Sequence, residues 1–257
     1  MKLSYVPLLR VQRELQGLAR SYDRFRQYLR TLLGKDRATV ELPPLGIANP
    51  MAKDHVTALL DALLALDADR IAAGALVDAA AQVANDPAEF KVGLVVADDL
   101  MGGWTNRYDY EFKLRFGYGP ATPGGARPKW LKEFWLAAVL WSSEAATEKG
   151  VREAVLSTVY RAAYVLRNGP ARTLRDMLAQ EGDVMSAAGC TRPALDAEDI
   201  EYTREVLTPF LDADDKRMAM ECLFGDAAGR TLGFTPRGLS AWAGLALALH
   251  DAQCSSP

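Results

Sequence analysis

From Tyr5 to Leu33 the apolar residues fall at alternating intervals of three and four: Leu8, Val11, Leu15, Leu18, Tyr22, Phe25, Leu29 and Leu32. That spacing predicts one helix with a narrow buried seam, ended by Gly34. The flanking positions lack the complementary charges of a dimeric coiled coil, so packing inside a bundle is expected. Arg10, Arg13, Arg20, Arg24 and Arg30 read as a solvated basic face, with partner binding as the alternative. Adjacent prolines make residues 35 to 48 a loop, and Asn49-Pro50 is a helix start. Val56, Leu59, Leu60, Leu63 and Leu64 stripe the helix that follows. After Asp67-Ala68-Asp69, a second helix carries Ile71, Ala75, Leu76, Ala79, Ala80 and Val83.

The pattern then changes. FKVGLVVA, residues 90 to 97, is a short apolar run with β-branched residues and predicts a strand. YDYEFKLRFGY, residues 108 to 118, alternates apolar and polar positions, which would put Tyr108, Tyr110, Phe112, Leu114 and Phe116 on one face of a second strand. Together they predict a β-hairpin or ribbon near residues 90 to 118 that must pack on helices or on another subunit. The Gly/Pro loop at 117 to 128 is the candidate subdivision of an otherwise single helical domain, 1 to 257. Beyond it, helices are expected over 130 to 146 and 151 to 167, near 171 to 181, 197 to 208 and 213 to 224, and over 235 to 250. The fold class expected is mainly α, a multi-helix bundle-like fold with one short hairpin.

Composition agrees with a globular fold: 49% of the 257 residues are hydrophobic and 25% charged. A net charge of −3 with interspersed signs argues against a dedicated nucleic-acid binder. No apolar run reaches membrane-spanning length and the first residues lack a signal-peptide pattern, so a cytoplasmic protein is expected. Cys190, Cys222 and Cys254 are widely spaced and give neither a disulfide framework nor a cysteine zinc site. His55 and His250, the two histidines, sit in no HExxH or ExxH arrangement.

Candidate chemistry concentrates in ADDLMGGWTNRYD, residues 97 to 109. Asp98 and Asp99 end the predicted strand, and a glycine-permissive turn leads to Trp104, Asn106, Arg107 and Asp109. Adjacent carboxylates can hold a divalent cation, Asn106 and Arg107 can orient a carboxylate or phosphate, and Trp104 can cover a ring. The same residues also suit an ordinary turn. ADDLMG shares letters with the aspartate-rich motif of prenyl-diphosphate synthases, but Gly102 stands where that motif needs its next carboxylate. DADD, residues 212 to 215, reads as a helix cap supplied by Asp212. Arg172, Arg230 and Arg237 lie at loop-to-helix junctions and are candidate anion-binding residues beside helix N-termini, or plain solvent-facing arginines. The chain is therefore expected to bind a polar or anionic small molecule around residues 98 to 109, as an enzyme or as a binding protein. The alternative is an interaction or scaffolding protein that forms a homo-oligomer through the N-terminal helix or the aromatic hairpin.

Overall fold

The computed structural model describes residues 1–33, 39–100, 106–117 and 134–255. The chain forms two compact units, one from residues 1–106 and 130–159, the other from 107–129 and 160–257. The fold is mainly α. Among the described residues, no helix is long and apolar enough to cross a membrane.

The first unit is organised by three parallel strands, β1 (Lys2–Val6), β2 (Glu89–Ala97) and β3 (Trp135–Trp141), in the order β1-β2-β3. The expected hairpin is thus corrected: its first partner, residues 90 to 97, is the strand β2, but β2 pairs in parallel with β1 and β3, and its second partner is not a strand. Residues 108 to 118 are not a strand: Arg107–Phe116 is a helix, α5. Positions 108, 112 and 116 satisfy a four-residue repeat as well as alternation. The helix also joins Arg107 to Glu111, Asp109 to Lys113 and Glu111 to Arg115 in i,i+4 ion pairs. The helix expected over 130 to 146 is instead β3, within a segment whose residues before 134 lie outside the described part. WLAAVLW is apolar throughout, a pattern that cannot separate a strand from a buried helix. Its alternately buried Leu136, Ala138 and Leu140 pair along β2.

The N-terminal seam also divides. Lys2–Val6 pairs with β2 in register Lys2↔Glu89 to Val6↔Gly93, and Pro7 separates it from α1 (Leu9–Gly17). Leu18 is extended, and a second helix, α2 (Tyr22–Leu32), follows. One sequence spacing therefore spans three elements. Leu8 and Leu15 are buried, whereas Tyr22 is 72% exposed, so the seam is buried along α1 and opens to solvent at the start of α2. Gly34 lies outside the described residues.

Pro43–Ile47 forms a 3-10 turn, and α3 (Asp54–Ala65) and α4 (Ala68–Gln82) form the predicted helix pair. Asn49-Pro50 does not open the helix; α3 starts after Lys53. Leu8, Leu9, Leu45, Leu60, Leu63 and Leu94 are fully buried and form this unit's core. Gly93 matters there, because a Cβ at that position would lie 2.5 Å from Leu8 Cδ1.

The second unit is helical. It holds α5, the end of α6 (Glu148–Asn168), α7 (Leu174–Ala187), α8 (Ala197–Leu207), α9 (Lys216–Phe224), α10 (Asp226–Leu232) and α11 (Ala243–Ser255). Thr173 and Asp176 form a capping box at α7, and Asp196 and Asp215 cap α8 and α9. The cap expected from Asp212 is therefore supplied by Asp215, while Asp212 pairs with Arg175 at 3.0 Å. The last helix begins at Ala243 rather than 235, because Trp242 adopts a left-handed backbone (φ 63°) that a helix cannot continue. At the unit's centre Glu181, 0% exposed, accepts from Arg161 at 2.7 and 2.8 Å and also pairs with Arg115.

Candidate functional site

Parallel sheets present their functional groups at the carboxyl ends of the strands, where the chain leaves the ladder for a loop. Here β1 stops opposite Gly93, so the last residues of β2 run on with β3 at one side only. The missing neighbour is supplied by a side chain. Gln12 of α1 donates from Nε2 to the Val96 carbonyl at 2.7 Å and accepts from the Val96 N–H at 2.9 Å, as a strand would. One turn later Gln16 donates to the Asn49 carbonyl at 2.7 Å. Two buried amides on one helix thus fix the end of β2 and the loop that faces it.

Asp98 follows directly and is 0% exposed. Its Oδ2 accepts from Asn49 Nδ2 at 2.8 Å, and its Oδ1 lies 2.8 Å from His55 Nε2. The Leu100 N–H donates to Oδ1 at 3.3 Å, and Ser142 Oγ lies 3.3 Å from the same oxygen. A buried carboxylate needs such donors to remain charged. His55 sits in the first turn of α3 with its side chain 23% exposed. A carboxylate at Nε2 holds the proton there, which leaves Nδ1 as the acceptor in the neutral ring.

Asp99 ties β2 to β3. Its backbone N–H donates to Ser142 Oγ at 3.1 Å, and its carboxylate accepts from Ser142 Oγ at 3.0 Å, Ser143 N at 2.9 Å and Ser143 Oγ at 2.6 Å. Both serines follow the last residue of β3, and Ser142 N donates to the Ala97 carbonyl at 2.8 Å. The two strand ends therefore present an acidic and hydroxyl-bearing edge with one imidazole against it.

The sequence picks out Asp98 and Asp99 in this group but misses Gln12, Asn49, His55, Ser142 and Ser143. No local spacing links them; Asp98 and His55 meet only because α3 and β2 belong to one core. Among the other candidates, Trp104 lies outside the described residues, and Asn106 is half-buried ahead of α5. Arg107 and Asp109 belong to the second unit. There the Arg107 guanidinium lies 3.7 Å from Glu111 and over the Trp242 ring at 5.2 Å, in an aromatic group with Tyr108 and Phe224. Asp109 pairs with Lys113 and, at 3.5 Å, with Lys216. The Asp98 and Asp99 carboxylates both accept from protein donors. Among the described residues no group of three or more His, Cys, Asp or Glu side chains is arranged to hold a metal ion.

At two of the three arginine junctions the chain supplies its own carboxylate. Beside Arg172, the N–H groups of Arg172 and Thr173 both donate to the Asp176 carboxylate at 3.0 Å, which occupies the position an anion would take. Arg230 is exposed in the last turn of α10, away from that helix's N-terminus. Arg237 lies 3.2 Å from Glu221 and over Phe210 at 4.5 Å. Its backbone N–H joins those of Gly238 and Leu239 in donating to Asp226 at 2.9, 3.0 and 3.1 Å. This cradle of N–H groups is filled by the chain's own carboxylate. No protein-family model, curated protein or solved structure matches this chain.

Proposed function

We propose that the chain binds a small polar molecule at the carboxyl ends of β2 and β3, with His55 as the group that exchanges a proton with it. The observation that carries this reading is the fully buried Asp98 carboxylate holding a part-exposed imidazole at 2.8 Å. A carboxylate behind a histidine fixes its tautomer and steadies the protonated ring, which is the arrangement acid–base chemistry requires. Asp98 has no exposed surface and is a positioning residue; Ser143 and Asp99 offer hydrogen bonds at the rim.

Two adjacent carboxylates against one imidazole disfavour a multiply charged anion. They suit a neutral or amine-bearing molecule rich in hydroxyl groups. The test is a thermal-shift panel of polyols, small amines, carboxylates, phosphates and nucleotides on wild type, His55→Gln and Asp99→Asn. A compound that binds the native state adds about 2.7 kcal/mol of stability at a hundredfold excess over Kd and so raises the melting temperature. The expected result is a compound of the polyol or amine class that stabilises wild type and stabilises His55→Gln less. Equal shifts in wild type and both variants across the panel would remove His55 and Asp99 from any ligand site.

A further inference from the structure

A second group of reactive side chains lies on α11, in the sequence HDAQC. His250 and Cys254 stand one turn apart on the same face, with Cys254 Sγ 3.7 Å from His250 Nε2. The other ring nitrogen, Nδ1, lies 3.2 Å from Asp251 Oδ1. Asp251 is fixed in turn by Arg204 of α8, which donates to both of its oxygens at 2.9 and 2.8 Å. The order is thiol, imidazole, carboxylate, guanidinium. A proton on Nδ1 is claimed by Asp251, so Nε2 is the free acceptor facing the thiol.

Among the described residues, the charged groups named beside the sulfur come from two helices. His250 and Asp251 share its own helix, and Arg204 lies on α8, with Glu201 3.8 Å from that guanidinium. On the opposite side of α11, α7 presents Gly182 to Ala248 and Ala252. Cys254 is exposed, whereas Cys190 and Cys222 are buried, and burial pushes the Cys222 thiol up to about 12. An exposed thiol beside an imidazole and an arginine has the surroundings of a reactive cysteine; a buried one is inert.

We propose that Cys254 is a nucleophilic thiol that exchanges with low-molecular-weight disulfides, His250 taking its proton. In the step, His250 Nε2 accepts the thiol proton and the Cys254 sulfur attacks one sulfur of the disulfide. The sulfur–sulfur bond of the reagent breaks, a mixed disulfide forms on Cys254, and the other half leaves as a thiolate. The site is thus one of reversible S-thiolation, separate from the edge that carries His55.

The experiment uses the full native chain and dithiobis(nitrobenzoate), whose released thiolate is followed by visible absorbance. One equivalent should react rapidly per wild-type chain, and Cys254→Ser should abolish that phase while leaving the two buried cysteines silent until unfolding. A tenfold fall in thiolate fraction, offset by the greater nucleophilicity of a less acidic thiol, slows exchange about threefold. His250→Gln is therefore expected to react about threefold more slowly at neutral pH. The two pH profiles should meet or cross above about pH 10, where a thiol ionises without help. His250→Ala repeats the measurement with a different side chain, and circular dichroism reports the helix in each variant. Superimposable rate–pH profiles for wild type and folded histidine variants, or a rapid phase that survives Cys254→Ser, would overturn the proposal.

Discussion

At the scale of single residues, the second unit encloses a carboxylate that never reaches solvent. Burial alone would push Glu181 up, but Arg161 and Arg115 beside it overcome that and hold it down to about 2. The folded-state value lies below the ordinary 4.5, so ionised Glu181 contributes stability above about pH 4.5 and loses it as the pH falls toward 2. Glu181→Gln should cost about 3–5 kcal/mol at neutral pH, because it leaves two arginines facing a neutral amide. In denaturant titrations the gap between wild type and variant should stay constant above pH 5 and narrow below pH 4. A gap that does not change with pH would mean that packing, and not charge, is what the substitution removes. The sequence offers no hint of this group: Glu111 and Arg115 read as polar positions of an alternating strand, and Arg161 and Glu181 as surface charges on helices, until the fold brings them together. Asp98 is the opposite case, legible because carboxylates at the end of an apolar strand demand partners.

Among the elements, α1 does more than cover the sheet. Gln12 completes the hydrogen bonding of β2 where β1 has ended, so Gln12→Leu would leave a buried N–H and a buried carbonyl at Val96 without partners. The expected loss is at least about 2 kcal/mol in global stability. It should be accompanied by faster amide exchange at Val96 than at Val92, which β1 still protects. Unchanged exchange at Val96 would mean that another group replaces the glutamine. Element identity was legible where length and periodicity agreed, as in α3, α4, α6 and β2. It failed where two periods coincide, as in the aromatic run of α5, or where no period exists, as in β3. It failed also over β1 and α1, because an uninterrupted spacing of apolar residues says nothing about the backbone at Pro7 and Leu18.

For the whole molecule, the order of segments matters more than their number. The first unit takes residues 1–106 and 130–159, so the strand that completes its sheet arrives after part of the second unit has been made. A fragment ending at Asn106 retains β1 and β2 but lacks β3, which pairs with β2 from Lys91 to Ala97. Its central strand would then present an unpaired apolar edge. That fragment should show no cooperative thermal transition and should aggregate, whereas the full chain unfolds cooperatively; a sharp transition for the fragment would show that β3 is dispensable. Parallel pairing across such distances is also invisible to local sequence patterns, which is why most helices are legible in the sequence and the sheet that organises the first unit is not.

The cradle around Asp226 carries a different kind of consequence. Three backbone N–H groups converge on one carboxylate that is attached to the chain by a single methylene. Asp226→Gly would remove the tethered occupant and leave the donors in place, so the loss should be repairable from solution. Millimolar acetate, which matches the deleted atoms, should restore part of the variant's melting temperature, while the same concentration of chloride should not. Such chemical complementation would turn an internal fastening of the fold into an anion receptor by the deletion of one side chain.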